Sequence, residues 1–261
     1  MFMRDLTDVN KIVIKVGTST LTFENGSLNL KRIEELARVL ADIKNSGRHV
    51  ILVSSGAIGV GVSRLRLDER PHDIKGKQAA AAIGQCQLMS IYDEFFRRYN
   101  QVVGQVLLTK DVITNGNMHE NAVNTFDALL GYGVIPIVNE NDTISTYEIM
   151  FGDNDTLSAY VASIVGADLL IMLTDIDGLY DKNPAEPSAK LIPEVHGITD
   201  DIRKSAGGVG SSRGTGGMAT KIMAVEIAAS VGARTIIMDG QNPKLIYDVL
   251  EGEEIGTYFK V

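Results

Sequence analysis

The chain has 261 residues, 44% of them hydrophobic, and a formal net charge of −8. That is enough for one large α/β domain or two small ones, and no Pro-, Gly- or Ser-rich linker divides it. The acidic balance argues against a general nucleic-acid or anionic-membrane binder, and the single cysteine, Cys86, excludes an intrachain disulfide and a CxxC motif. No apolar run nears the roughly 18 residues of a membrane span, and the opening MFMRDLTDVN lacks an apolar signal core, so a cytoplasmic protein is expected.

Residues 11–16, KIVIKV, read as a strand followed by the turn residues Gly17, Thr18 and Ser19. Lys15 is anomalous there. It is either an outward-facing or snorkelling side chain, or an ammonium group held beside phosphate at the strand's C-terminal end, with Gly17 allowing close backbone approach. Residues 31–46 carry a helical stripe of Ile33, Leu36, Ala37, Leu40 and Ile43, and Gly47 is placed to end it. Residues 50–53 form another buried strand that exits into Ser54, Ser55 and Gly56, where backbone N–H groups and hydroxyls can meet an anion. The glycines at 56, 59 and 61 are in the wrong order for a dinucleotide fingerprint, which excludes a Rossmann dehydrogenase.

Residues 78–99 suit a long helix with Met89, Ile91, Tyr92 and Phe95 in the core or at a subunit interface. A strand at 102–108 and a helix at 117–130 follow. This alternation predicts a mainly parallel sheet with helices on both faces.

The stretch GVIPIVNENDTISTYEIMFGDND, 133–155, organises the rest. Val134, Ile135, Ile137 and Val138 suit a strand buried on both faces, and Asn139, Glu140, Asn141 and Asp142 sit where it would leave the sheet. Ten residues on, Gly152, Asp153, Asn154 and Asp155 precede the helical pattern TLSAYVASIV, for which Asp153 or Asn154 is a suitable N-cap. Turn and cap chemistry explains one such cluster; two closing one loop favour a site. Asn side chains donate to carboxylates, while Asp142 and Asp155 can accept from an ammonium group or help fix a cation. The spacing of a calcium loop is absent, so a zwitterionic small molecule such as an amino acid ranks first.

Residues 169–173, LLIML, form a fully apolar strand that delivers Thr174, Asp175, Ile176 and Asp177, and Asn183, Pro184, Pro187 and Ser188 mark an irregular surface loop. GGVGSSRGTGGMATK, 207–221, then runs into the helical pattern MAVEIAASV and a last strand, TIIM. A glycine-rich loop opening a helix, with Lys221 in its first turn or so, suits phosphate, although the Walker A pattern is absent; a flexible linker is the alternative.

The set KVGTS, SSGAIG, NEND, GDND, LTDIDGLYDKNP and GTGGMATK resembles the amino acid kinase family over almost the whole chain. KxGxS and the TD segment are common to many members, whereas NEND with GDND, and the GTGGMxTK loop, resemble those that phosphorylate glutamate. The resemblance implies a three-layer αβα sandwich with a mainly parallel sheet. It also implies transfer of the γ-phosphoryl group of Mg-ATP to the side-chain carboxylate of L-glutamate, giving glutamyl 5-phosphate for proline synthesis. Carried over by motif, Lys15, Lys221 and Asp155 are the catalytic set, with Asp155 organising the two lysines. Ser55, Gly56, Ala57, Asn139, Asp142 and Asn154 are the glutamate-binding positions. Lys15, Gly17, Thr174, Asp175, Thr215, Gly216, Gly217, Met218, Ala219, Thr220 and Lys221 are the ATP-binding ones.

Within a single domain the same resemblance implies a glutamate-binding lobe at 1–166 and an ATP-binding lobe at 167–261. It further implies a homo-oligomer, proline as feedback inhibitor, and glutamyl phosphate reductase as a pathway partner; the proline site is expected near the loop 143–152, because that loop joins both polar clusters. Many bacterial members that phosphorylate glutamate continue into a C-terminal domain resembling RNA-modifying enzymes. This sequence ends at Val261, and its catalytic domain is expected to be complete. A glutamate carboxylate, with an unperturbed pKa near ~4.3, is ionised at neutral pH and needs no general base, so His49, His72, His119 and His196 are expected at the surface or as caps. The rival readings are a same-fold kinase of N-acetylglutamate, aspartate, carbamate or a nucleoside monophosphate, and a non-catalytic amino-acid or nucleotide sensor.

Overall fold

The structure, a computed structural model, describes residues 4–23, 26–145, 154–206 and 217–260. Strand β1 (Lys11–Val16) leads through one helical turn, α1 (Thr18–Leu21), into α2 (Leu30–Asn45). Then come β2 (His49–Ser54), α3 (Ala57–Leu65), α4 (Ile74–Arg98), β3 (Val103–Leu108), α5 (Asp111–Thr114), α6 (Gly116–Gly131) and β4 (Ile135–Glu140). The second part runs α7 (Asn154–Val165), β5 (Leu169–Thr174), β6 (Glu194–Val195), α8 (Asp200–Ala206), α9 (Met218–Ala229), β7 (Arg234–Asp239), α10 (Leu245–Leu250) and β8 (Thr257–Phe259).

The strands form one eight-stranded sheet in the order β3-β4-β2-β1-β5-β7-β8-β6. Every pairing is parallel except that of β7 with β8. Side chains alternate across each strand. Ile12, Ile14 and Val16 of β1 therefore enter a core shared with α2, α4 and α10, whereas Val13 enters the opposite core, shared with α6, α7 and α9. Helices thus cover both faces, which explains why β4 and β5 are buried at every position. Asn29, Asp73 and Asn115 start α2, α4 and α6 by accepting from backbone N–H groups at Arg32, Gly76 and Met118.

Three elements differ from the sequence reading. TIIM lies in β7 but is not the last strand, because β8 turns back antiparallel beside it and carries the two-residue β6 on its far side. Helix α3 has no counterpart in the sequence reading. Asn154 is the first residue of α7 and not its cap, and Asp153 lies outside the described residues, as do 146–152 and 207–216. The edge is fastened by the Arg4 guanidinium, which donates to the carbonyls of Ile255, Pro193 and Gly256.

α3 crosses α4 at backbone contact. A Cβ on Gly61 would lie 1.8 Å from the Ala80 carbonyl oxygen, and one on Gly84 would lie 1.8 Å from that of Ala57. Only glycine permits this approach, so α4 is seated directly on the first turn of α3. Among the described residues no helix is long and apolar enough to cross a membrane.

Candidate active site

Because β1, β2, β4, β5 and β7 run parallel, their C-terminal ends share one sheet edge. Lys15, Ser54, Glu140, Thr174 and Asp239 all fall at or next to it. The chain continues from β1 to β2 on one side and only later occupies the other side with β5, so the strand order reverses at β1, the place where open parallel sheets bind ligands.

Lys15 shares the face of Val13, which turns it toward α7 and α9. Its ammonium lies 2.5 Å from Oδ1 of Asp155, in the first turn of α7, and the Lys221 ammonium from the first turn of α9 lies 2.9 Å from Oδ2. The lysine side chains are 9% and 8% exposed and the carboxylate not at all. The outward-facing alternative for Lys15 is thereby excluded. Burial alone would raise the Asp155 pKa, but Lys15 first and Lys221 second outweigh it and hold the carboxyl well below the usual range. Thr220 adds a hydroxyl, its Oγ1 donating to the Gly217 carbonyl at 2.7 Å and lying 3.3 Å from Asp155 Oδ2.

On the β2 and β4 side the polar groups form a chain. Asn154 Nδ2 lies within hydrogen-bond distance of three acceptors that share its two N–H groups, the Ser54 carbonyl at 3.2 Å, Ser55 Oγ at 2.9 Å and Asn139 Oδ1 at 2.9 Å. Asn139 Nδ2 in turn donates to Gln85 Oε1 of α4 at 2.9 Å. With its N–H groups committed, Asn154 retains its Oδ1, which is buried and, among the described residues, has no hydrogen-bond partner; Asp142 Oδ1 is in the same condition. This differs from the expectation that the asparagines donate to a ligand: Asn154 offers an acceptor. Burial, then the nearby Glu140, pushes the Asp142 carboxyl up to about 7 against the opposing pull of Arg70. Buried oxygens without partners among the described residues call for a donor, and an ammonium group supplies several.

Gly56 opens α3 with φ +99, a conformation that favours glycine, and no side chain caps the turn that begins at Ala57. Gly17 has an ordinary φ of −81, and a Cβ there would meet Lys15 Nζ at 3.7 Å, so nothing in the protein's own packing demands glycine. Thr174 ends β5 buried, its Oγ1 donating to the exposed Asp175 at 3.1 Å. Gly217 is the N-cap of α9, without a side-chain cap bond, and Met218 and Ala219 fill the first turn before Thr220 and Lys221. Thr215 and Gly216 lie outside the described residues.

Gln85 and Tyr92 are the site-supporting residues that sequence reasoning passes over. Tyr92, wholly buried, shares a 2.8 Å hydrogen bond with Ser54 Oγ and so steadies the end of β2. Both lie on a helix whose apolar stripe conceals their polar role. None of the four histidines is buried.

Magnesium fits the protein's own side chains poorly. Among the described residues no group of three or more His, Cys, Asp or Glu converges to hold a cation, and Asp155 already serves two ammonium groups. An ion of this kind would enter on nucleotide phosphates, and no step below is routed through it.

This sheet, with two buried lysines paired through one carboxylate at its switch point, places the chain among kinases of the α/β class. Residues 10–239 match the amino acid kinase family, and the chain belongs to that family. It is 57% identical over 259 residues to the glutamate 5-kinase of Clostridium perfringens strain 13, covering 97% of this chain and 96% of that one. It is 51% identical over 264 residues to the glutamate 5-kinase of Lactococcus lactis, covering 99% and 98%. An isopentenyl phosphate kinase structure shares the fold at a TM-score of 0.64 and 18% identity, covering 96% of this chain and 100% of that one. The UMP kinase of Ureaplasma parvum does so at 0.65 and 16%, covering 97% and 99%.

Proposed function

We propose that this chain transfers the γ-phosphoryl group of ATP to the side-chain carboxylate of L-glutamate, giving L-glutamyl 5-phosphate, the first step of proline synthesis. The observation that carries this is the pairing of two buried lysines through Asp155 beside a polar chain in which Asn154 Oδ1, among the described residues, has no hydrogen-bond partner. The similarity to enzymes named glutamate 5-kinase over nearly the full length supports the same reading.

The chemistry follows from charge. The glutamate carboxylate is ionised at neutral pH, so its oxygen attacks the γ-phosphorus while the bond to the ADP oxygen breaks, and no proton need move. The obstacle is one anion approaching another. Lys15 and Lys221 lower that barrier by facing the phosphoryl oxygens, and Asp155 keeps both ammonium groups in place before substrate arrives. Asp142 and Asn154 receive the α-ammonium group, and the uncapped first turn of α3, with Ser55, Gly56 and Ala57, takes the α-carboxylate. Asn139 supports them. Gly17, Thr174, Asp175 and residues 215–221 take the nucleotide, which enters as its magnesium complex. In this assignment residues 1–166 form the glutamate-binding lobe, which also lends Lys15 and Gly17 to the phosphates, and 167–261 form the ATP-binding lobe.

The same reading assigns the protein to the cytoplasm as a homo-oligomer. Proline acts as inhibitor near the loop 143–152, most of which lies outside the described residues, and glutamyl phosphate reductase consumes the product. The deciding experiment is an ATP-dependent hydroxamate assay with glutamate, aspartate and N-acetylglutamate, because hydroxylamine traps acyl phosphates. Signal with glutamate alone is expected. Signal with another acid but not glutamate overturns the substrate, and none with any acid overturns the activity.

A further inference from the structure

The amide chain has a direction, and that direction has an origin. A backbone carbonyl can only accept, so the Ser54 oxygen, 3.2 Å from Asn154 Nδ2, obliges Asn154 to present its nitrogen to the protein. The same nitrogen meets Asn139 at 2.9 Å, which obliges Asn139 to present Oδ1 there and to send its own Nδ2 the other way. That second nitrogen ends on Gln85 Oε1 at 2.9 Å. Asn139 is 2% exposed and Asn154 2% exposed, so neither can exchange a lost partner for bulk water. If Asn139 turned over, two NH₂ groups would face one another, and Asn154 would be drawn toward the opposite orientation.

We propose that Gln85, on α4, is the positioning residue that completes this chain: by accepting from Asn139 Nδ2 it holds Asn139 in the orientation that the Ser54 carbonyl imposes through Asn154, and thereby keeps Asn154 Oδ1 turned out as an acceptor for the substrate's ammonium group. The inference rests on the reading that an amino acid occupies the site, and it deepens that reading: preference for a substrate bearing an α-ammonium group over its deamino analogue originates partly in a helix that does not touch the substrate. The seating of α4 makes this workable. Gly84, next to Gln85, lies against the Ala57 carbonyl so closely that no Cβ fits, which brings this turn of α4 down onto α3 and Gln85 within reach of Asn139.

The test compares three variants with the wild-type enzyme, each shown by circular dichroism to be folded. Gln85→Leu removes the acceptor, Gln85→Met removes it while keeping the length, and Gln85→Glu retains an acceptor oxygen in its place. Gln85→Leu and Gln85→Met should raise KM for L-glutamate by about tenfold, the size of one hydrogen bond to a charged group, with kcat within about twofold and KM for ATP unmoved. Gln85→Glu should hold KM for glutamate within about threefold of wild type, because the acceptor remains. An unchanged KM for glutamate in Gln85→Leu overturns the inference, as does an equal rise in both KM values or a Gln85→Glu enzyme as impaired as Gln85→Leu. A wild-type enzyme that forms no hydroxamate from L-glutamate overturns the parent reading, and the inference with it.

Discussion

The ammonium group of Lys15 lies 2.5 Å from Oδ1 of Asp155, joining the central strand to the start of α7 at a point almost closed to solvent. Because Lys221 holds the other oxygen, one carboxylate keeps two like charges together. Asp155→Asn should leave both buried ammonium groups without their counter-charge and destabilise the fold by about 3 to 5 kcal/mol, read from urea unfolding. The folded pKa of Asp155 lies below its unfolded value, so this stabilisation is complete above about pH 4 and fades as the pH falls toward the depressed value. An Asp155→Asn protein as stable as wild type at neutral pH would remove the basis for the pairing.

Lys221→Ala should act on rate more than on folding, since the lysine sits in the first turn of α9 and its ammonium serves charge compensation. Losing one strong transition-state contact of ~3 to 4 kcal/mol lowers kcat by roughly 10² to 10³. Lys15→Ala should behave similarly. The double variant should lose less than the product of the two, because both lysines act through one carboxylate. Steady-state kinetics on folded protein decides it, and near-normal turnover in either single variant counts against the assignment.

Asp142 should give glutamate binding a pH dependence. Its carboxyl, pushed up to about 7, is protonated below that pH, and an ammonium ligand binds the ionised form, so binding must then expel a proton. KM for glutamate should rise by up to about tenfold per unit as the pH falls below about 7 and should level off above it. Since the folded pKa exceeds the unfolded one, ionised Asp142 weakens the ligand-free fold progressively from about pH 4 to about pH 7, and glutamate should stabilise the protein more at pH 8 than at pH 6. Asp142→Ala should raise KM for glutamate roughly ten- to a hundred-fold, flatten its pH profile and leave KM for ATP nearly unchanged. A wild-type profile surviving in that variant would assign the slope to another group.

Gly84→Ala should be costly for so small a change. The new methyl carbon would fall 1.8 Å from the Ala57 carbonyl oxygen and 2.5 Å from the Gly61 nitrogen, both backbone atoms that cannot rotate aside. The helices must separate, at about 1 to 3 kcal/mol or more in thermal or denaturant unfolding. Because α4 carries Gln85, glutamate affinity should fall further than ATP affinity. Equal stability to wild type would mean that the crossing is looser than the glycines indicate.

β1, β4 and β5 are legible in the sequence because strands buried on both faces are continuous apolar runs, and the polar clusters at their exits stand out against them. Helix α3 is hidden: AIGVGVSRL contains two glycines after turn residues and resembles a prolonged loop, although Gly61 serves a helix crossing. β6 and β8 contain too few residues to display any period. Lys15 is ambiguous alone, since its counter-charge comes from a helix far along the chain. The direction of the amide chain is invisible in sequence for a different reason. Asn154 reads equally as donor and acceptor until the Ser54 carbonyl is placed beside it, and Gln85 belongs to a helix whose pattern speaks only of packing.

The antiparallel return of β8 has a consequence for how the protein is made. Among the described residues β6 pairs with β8 alone, and Thr257 Oγ1 accepts from the Leu179 N–H at 2.8 Å while donating to the Ile192 carbonyl at 2.7 Å. Residues 179–195 thus find their seat on the sheet only after residues 257–259 have left the ribosome. The β1, β2 and β4 side can assemble while synthesis continues, but the border formed by β6 waits for β8. A nascent chain stalled shortly before Thr257 would carry the β3-β4-β2-β1 side formed beside an edge on which Leu179 and Ile192 still lack the hydroxyl that joins them.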